Sequence, residues 1–161
     1  MTLPTIQEIW TELDEVKDPE IPVVSIIEMG IVRDVALDGD RVTVTLTPTF
    51  SGCPALHVMQ ADVEHRLRGL GFANIAVNVT LSPPWSTERI SEGARAKLKA
   101  FGLAPPPHHD GDISLALRDP VACPYCGSED TSLRNAFGPT LCRAIFTCNA
   151  CKQPFEQFKP L

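Results

Sequence analysis

Cys123-Pro124-Tyr125-Cys126 and, after 21 intervening residues, Cys148-Asn149-Ala150-Cys151 decide the fold of the last third of this chain. A C-x2-C turn aims both sulfurs at one point. Two such turns on facing hairpins supply the tetrahedral thiolate set that Zn2+ prefers. Gly127 follows the first pair, and a residue without Cβ takes the tight turn that such a knuckle needs. The surrounding segment is short and poor in large apolar residues, so it needs a crosslink or a metal to fold. Two disulfides are the competing crosslink. However, Met1 to Trp10 has neither a basic n-region nor an apolar h-region, which reads as a cytoplasmic chain, where disulfides rarely persist. Cys123, Cys126, Cys148 and Cys151 are therefore the expected ligands of a structural Zn2+. Iron in a rubredoxin-like site is the other metal that four thiolates admit.

Six cysteines are present, and five of them lie in the last 39 residues. Cys142 is the fifth thiol of that group. It reads as a small buried hydrophobe on a strand from Leu141 to Thr147, with a spare-ligand or redox role left open. Working back along the chain, Ala104-Pro105-Pro106-Pro107-His108-His109 breaks the composition. Consecutive prolines cannot continue a helix and form a stiff extended spacer. The expected organisation is a first domain over 1–103, a Pro-rich linker over 104–117 and the ribbon over 118–161. His108 and His109 read as solvated linker residues.

The chain has 161 residues and a formal charge of -6; apolar residues make up 43% and charged residues 21%. These values lie inside the globular range. No apolar run approaches the ~18 residues of a membrane span, so no membrane role is expected. The first 103 residues hold 9 basic and 14 acidic side chains, ten of the acids before residue 41. Such an acidic face argues against nucleic acid as a partner.

The first domain reads as α+β. Ile6, Ile9, Trp10, Leu13 and Val16 recur at helical spacing, and Asp18-Pro19-Glu20-Ile21-Pro22 stops the helix. Ile31–Leu37 and Val42–Leu46 are β-rich and flank the turn Asp38-Gly39-Asp40. Leu56, Met59, Val63, Leu67 and Leu70 mark a helix, with Pro54 at its first position and Gly71 as its cap. Ile75, Val77, Val79 and Leu81 alternate as a strand with one buried face. A last helix places Ile90, Ala94, Leu98 and Phe101 on one side. The expected architecture is a small α/β sandwich on a mixed sheet of about three strands, followed by the four-cysteine zinc ribbon.

Cys53 is alone in the first 122 residues, in Ser51-Gly52-Cys53-Pro54. At the N-cap of the expected helix, unpaired N–H groups and the helix dipole favour a thiolate able to take metal or undergo redox chemistry. An ordinary buried cysteine is the bland alternative. Asp18 and Glu20 bracket Pro19 and set two carboxylates on one loop, which suits either metal binding or plain capping. His57 and His65 lie two turns apart on the same helix, too far to share a metal unaided, and read as surface residues. No Walker loop and no complete G-x-G-x-x-G occurs, so nucleotide chemistry lacks support. No Glu precedes a His by three positions, so the helical ligand pairs of di-iron carboxylate enzymes are absent.

Several segments carry a resemblance. Asp18-Pro19-Glu20-Ile21-Pro22, Glu28-Met29-Gly30-Ile31-Val32, Thr47-Pro48-Thr49 with Gly52-Cys53-Pro54, and Pro83-Pro84-Trp85 resemble the iron–sulfur-assembly domain of SufT-like proteins. In the C-terminal part three stretches are similar to the PaaD (PaaJ) family of phenylacetyl-CoA epoxidase subunits. They are Cys123-Pro124-Tyr125-Cys126-Gly127-Ser128, the run from Phe137 to Ala144 through Gly138-Pro139-Thr140-Leu141-Cys142-Arg143, and Pro154-Phe155-Glu156-Gln157-Phe158-Lys159. Phe50-Ser51 ahead of Gly52 departs from many relatives but leaves the cysteine in place. The resemblance implies an accessory or maturation role in phenylacetate catabolism, serving a di-iron monooxygenase whose iron or Fe–S centres it helps to assemble, with no catalysis of its own. It implies zinc in the ribbon, a reactive thiol at Cys53 holding Fe or a cluster transiently, and Asp18 and Glu20 as helpers. The implied partners are the oxygenase and reductase components. A homodimer is compatible with the sequence. The alternatives are a non-catalytic structural subunit of the monooxygenase and a zinc-ribbon adaptor outside this pathway.

Overall fold

In the computed structural model, residues 4–161 are described. Helix α1 (Ile6–Leu13) opens on a capping box, in which Thr5 and Glu8 bond to each other's backbone N–H. The box holds the Glu8 carboxyl below its ordinary range, chiefly because the Thr5 backbone N–H donates to it. The helix ends at Leu13, one turn short of the expected limit. Val16 is buried from the following loop instead, where its backbone N–H donates to the Leu13 carbonyl and its carbonyl accepts from Ile26.

The loop over 14–31 contributes as much core as a helix would. Val24, Ile26 and Met29 are fully buried within it. Ser25 and Glu28 form a second reciprocal box, each side chain accepting from the other's backbone N–H at 3.0 Å. Trp85 Nε1 donates to the Met29 carbonyl at 2.9 Å, which fastens Pro83-Pro84-Trp85 to the Glu28-Met29-Gly30 segment. Thr47 N–H donates to the Ile31 carbonyl at 2.7 Å, so three of the resemblance-bearing segments of the first domain are bonded to one another.

Strands β1 (Val32–Asp38) and β2 (Arg41–Leu46) pair antiparallel across a two-residue turn in which Gly39 takes φ +58°. Helix α2 (Leu56–Gly69) then crosses over to β3 (Asn74–Val79), which pairs parallel with β2. The sheet order is β1-β2-β3, a mixed three-stranded sheet as expected. Val42, Val44 and Leu46 on the central strand are fully buried, together with Val63 and Leu67 of α2. The outer strand β3 is less covered than its alternation suggests, since Val79 is 39% exposed and Leu81 53%.

The chain divides into two compact units, Met1–Trp85 and Ser86–Leu161. The division falls ahead of the last predicted helix and not at the prolines, for a physical reason. A 3-10 turn (Thr87–Arg89), α3 (Glu92–Ala100) and the short β4 (Leu103–Ala104) precede the prolines, and β4 pairs parallel with a ribbon strand. Arg95, 6% exposed, donates from one guanidinium nitrogen to the Pro106 carbonyl and from another to the Thr87 carbonyl. Pro106 is buried, and the 104–107 stretch lies against the ribbon instead of spanning open solvent. Helix α4 (Ile113–Ala116) follows, and then β5 (Thr131–Asn135), β6 (Arg143–Cys148) and β7 (Pro154–Phe158) in the order β4-β7-β6-β5. Phe101 is not on the buried side of α3; it caps the helix and is 47% exposed.

Candidate metal centre and thiol loop

Each knuckle is built by the same backbone devices. Cys123 N–H donates to the Ser128 carbonyl and Cys148 N–H to the Gln153 carbonyl, both at 2.9 Å. The residue after each second cysteine returns a bond to the first cysteine's carbonyl: Gly127 to Cys123 at 2.9 Å and Lys152 to Cys148 at 3.0 Å. Those two residues take φ +76° and +64°. The first knuckle precedes β5 and the second is the β6–β7 turn, so the ribbon sheet holds them face to face.

The four Sγ atoms all lie within 4.8 Å of one another, with Cys123 to Cys151 at 3.7 Å and Cys126 to Cys148 at 3.6 Å. A disulfide requires about 2.05 Å, so the thiols are free. A tetrahedron with Zn–S bonds of about 2.3 Å has edges of about 3.8 Å. The thiols therefore already stand at the spacing of a ZnS4 site, and the donor set fits Zn2+. Beneath them Cys123, Cys148, Phe155 and Ala104 form the ribbon's small core, with Phe146 stacked on Phe155 at 5.7 Å. Cys148 is drawn down to about 7, first by the Cys151 N–H pointing at its sulfur. Cys151 is pushed up to about 12: the Gln153 N–H favours its thiolate, but burial and the three neighbouring sulfurs outweigh that bond. Four thiols in one pocket cannot all ionise without a cation among them.

Cys142 is buried, as its sequence position suggested, but it sits just ahead of β6. Its sulfur is 3.1 Å from Thr140 Oγ1, and its carbonyl accepts from Lys159 N–H. It is not part of the four-sulfur cluster.

Cys53 is half-buried in a turn between β2 and α2. Its N–H donates to the Phe50 carbonyl and its own carbonyl accepts from Leu56 N–H, both at 3.2 Å. The helix starts at Leu56 with Ala55 as N-cap, so Cys53 lies ahead of the cap and Pro54 is not the first helical residue. A Cβ on Gly52 would meet only the Phe50 ring, at an ordinary 3.4 Å. Asp18 is buried, and its Oδ1 accepts from the Glu20 and Ile21 N–H groups at 2.8 and 3.1 Å, shaping the Asp-Pro-Glu turn. Glu20 is half-buried. Among the described residues the four ribbon cysteines are the one gathered group of three or more candidate metal ligands, so Cys53, Asp18 and Glu20 do not form a second. His57 and His65 are both exposed on α2, as expected, and neither belongs to the four-sulfur group.

His109 differs from its expected solvated state. It is 7% exposed, its Nδ1 accepts from Gly111 N–H, and its Nε2 lies 3.2 Å from both Thr87 Oγ1 and the Leu161 carbonyl oxygen. His108 does face solvent, between Glu88 and Glu92 at 3.2 and 3.0 Å. Local sequence does not mark the burial of His109 or Arg95, because the Thr87, Pro106 and Leu161 groups that hold them lie 8 to 52 residues away.

A mixed α/β domain carrying a lone cysteine on the loop before its second helix, followed by a four-thiol ribbon preset for a metal, is the arrangement that the iron–sulfur-assembly and zinc-ribbon resemblance implies. The comparisons with known proteins agree. Residues 6–80 match the family described as iron–sulfur cluster assembly protein, and residues 108–159 match the PaaD zinc beta ribbon domain. An Escherichia coli K12 protein that carries the name "Putative 1,2-phenylacetyl-CoA epoxidase", as its D subunit, is 37% identical over 97% of this chain and 93% of its own length. The chain belongs to that PaaD family. An "Fe-S protein maturation auxiliary factor" of Porphyromonas gingivalis is 34% identical over 60% of this chain and 92% of its own. The crystal structure of a domain of unknown function, DUF59, from Bacillus anthracis superposes with a TM-score of 0.54 at 36% identity, covering 57% of this chain and 89% of that one.

Proposed function

We propose that this chain is an accessory maturation protein of the multicomponent 1,2-phenylacetyl-CoA epoxidase, assisting assembly of Fe or Fe–S centres in its oxygenase or reductase component. The observation that carries the reading is the joining of both domain types in one chain, with near full-length similarity to a protein named for that epoxidase. The shorter relative named as an Fe–S maturation factor matches only part of the chain and supports the maturation half of the proposal. Iron or a cluster is cargo here. Cys53, half-buried on its turn, offers the thiolate that takes it up transiently. Asp18 helps by holding its own Asp-Pro-Glu turn in shape through its two backbone bonds, and Glu20 adds a half-buried carboxylate on the same turn. The ribbon docks on an epoxidase component. Its zinc, when bound, supplies folding free energy and no open coordination position.

The test compares cells carrying wild type with cells carrying Cys53→Ser. The expected result is loss of whole-cell epoxidation together with reduced iron in the purified oxygenase or reductase. Wild-type iron content and epoxidation in the variant would defeat the proposal. A stable structural component of the complex is the second reading, favoured by the E. coli relative's being named as a subunit. It predicts stoichiometric co-purification with the oxygenase and unchanged iron content when Cys53 is replaced.

A further inference from the structure

The three-stranded sheet of the first unit has two outer edges, and the sequence treats them oppositely. β1 carries Arg33, Asp34 and Asp38, and its ladder is interrupted by a register shift between Val32 and Asp34. Charges and bulges are the means by which soluble proteins prevent edge strands from pairing. β3 has neither. Its ladder with β2 is regular over all six residues, and no charged side chain occurs from Leu70 to Thr87. Among the described residues no strand pairs with its outer side.

The backbone direction follows from one bond. Thr80 N–H donates to the Leu46 carbonyl at 2.9 Å, so Thr80 faces β2. The N–H and C=O of successive strand residues alternate between the two sides. Asn74, Ala76 and Asn78 therefore also face β2, while Ile75, Val77 and Val79 turn their N–H and C=O outward. These same three residues are β-branched, and their side chains share one face of the sheet.

We propose that β3 is the pairing edge of a closed homodimer, in which a second copy of this chain docks antiparallel about a two-fold axis at Val77. This register sets Val77 opposite its counterpart and Ile75 opposite Val79 of the second copy, each pair exchanging two backbone hydrogen bonds. It joins the two sheets into one of six strands. A second copy is the occupant that fits because an uncharged strand meets itself without like-charge opposition. The competing β3-to-β1 contact would propagate head to tail into a filament, and the charged, bulged β1 blocks it.

The experiment uses the full-length, zinc-loaded protein. Light scattering over a wide concentration range is expected to give twice the 17.6 kDa chain mass, dissociating on dilution. Amide-resolved hydrogen exchange is expected to protect the Ile75, Val77 and Val79 N–H groups in the dimer and release them in the monomer. Ala76 and Asn78 should stay protected in both. Val77→Pro removes an outward N–H without touching the ladder to β2. Val79→Lys places a charge on the edge and leaves every backbone group in place. Each variant should run as one chain with wild-type zinc content and circular dichroism. A wild type that is monomeric throughout, or a dimer that persists in Val79→Lys with the odd-numbered amides unprotected, overturns the proposal.

Discussion

Gly127 and Lys152 occupy equivalent places, one after each knuckle, and both adopt the left-handed backbone that L side chains avoid. Open space surrounds the point where a Cβ on Gly127 would sit, so any substitution there is opposed by conformation alone. A left-handed non-glycine residue costs about 1–2 kcal/mol. Lys152→Gly should therefore stabilise the zinc-loaded ribbon by about 1 kcal/mol, and Gly127→Val should destabilise it by about the same or more, both read from thermal unfolding. Arg95 is the opposite case, a buried cation whose worth lies in tertiary partners. Hydrogen bonds to charged groups contribute about 1.5–3 kcal/mol each, and Arg95 makes two to backbone carbonyls. Arg95→Met should lower the stability of the second unit by about 3 kcal/mol and raise exchange at the amides after Pro107.

Among the elements, the ribbon strands are expected to depend on metal more than on packing. The core beneath the sulfurs holds few large side chains, so Cys148→Ser should lose the zinc and melt β5, β6 and β7 together. Metal analysis with circular dichroism checks this, and a folded, zinc-bound variant would contradict it. Zinc uptake near neutral pH should also release protons, because Cys151 is held protonated up to about 12 in the metal-free cluster. Calorimetry in buffers of different ionisation enthalpy measures that release, and the apparent affinity should rise with pH. A second pH dependence belongs to the turn before α3. Burial acts to raise the Glu88 carboxyl, but bonds from His108 and the His109 N–H outweigh it, and the carboxyl is held below its ordinary range. The stability it contributes is present above the ordinary carboxylate range and is lost as pH falls through the lowered value. Glu88→Gln should flatten the acid limb of a stability-against-pH curve for the second unit.

At the scale of the whole molecule, the boundary between the two compact units falls at Trp85/Ser86 and not at the proline run. A fragment of residues 86–161 keeps α3, β4 and the Arg95 tether, whereas one of 104–161 loses α3, the tether and half of β4. With zinc present, the longer fragment should unfold cooperatively at a temperature near that of the unit in the full chain. The shorter one should bind zinc but melt lower, because β7 loses its β4 neighbour and the proline run loses its guanidinium anchor. Equal melting of the two fragments would show that α3 contributes nothing to the ribbon unit.

Local pattern determined much of this protein. The C-x2-C spacing fixed the four-thiolate ribbon, because ligand geometry inside a knuckle is set over four or five residues. The alternation at Val42–Leu46 and the helical spacing of Met59, Val63 and Leu67 likewise marked the central strand and its covering helix through their buried faces. Tertiary structure decided the rest. Cys53 falls ahead of the helix cap, and α1 stops at Leu13, because loop contacts outcompete propensity at helix ends. His109 and the prolines are drawn into the ribbon unit by Thr87, Leu161 and Arg95, from which they are far apart in sequence. A composition break shows where a helix cannot continue. What the freed segment then packs against depends on partners that only the folded chain brings near.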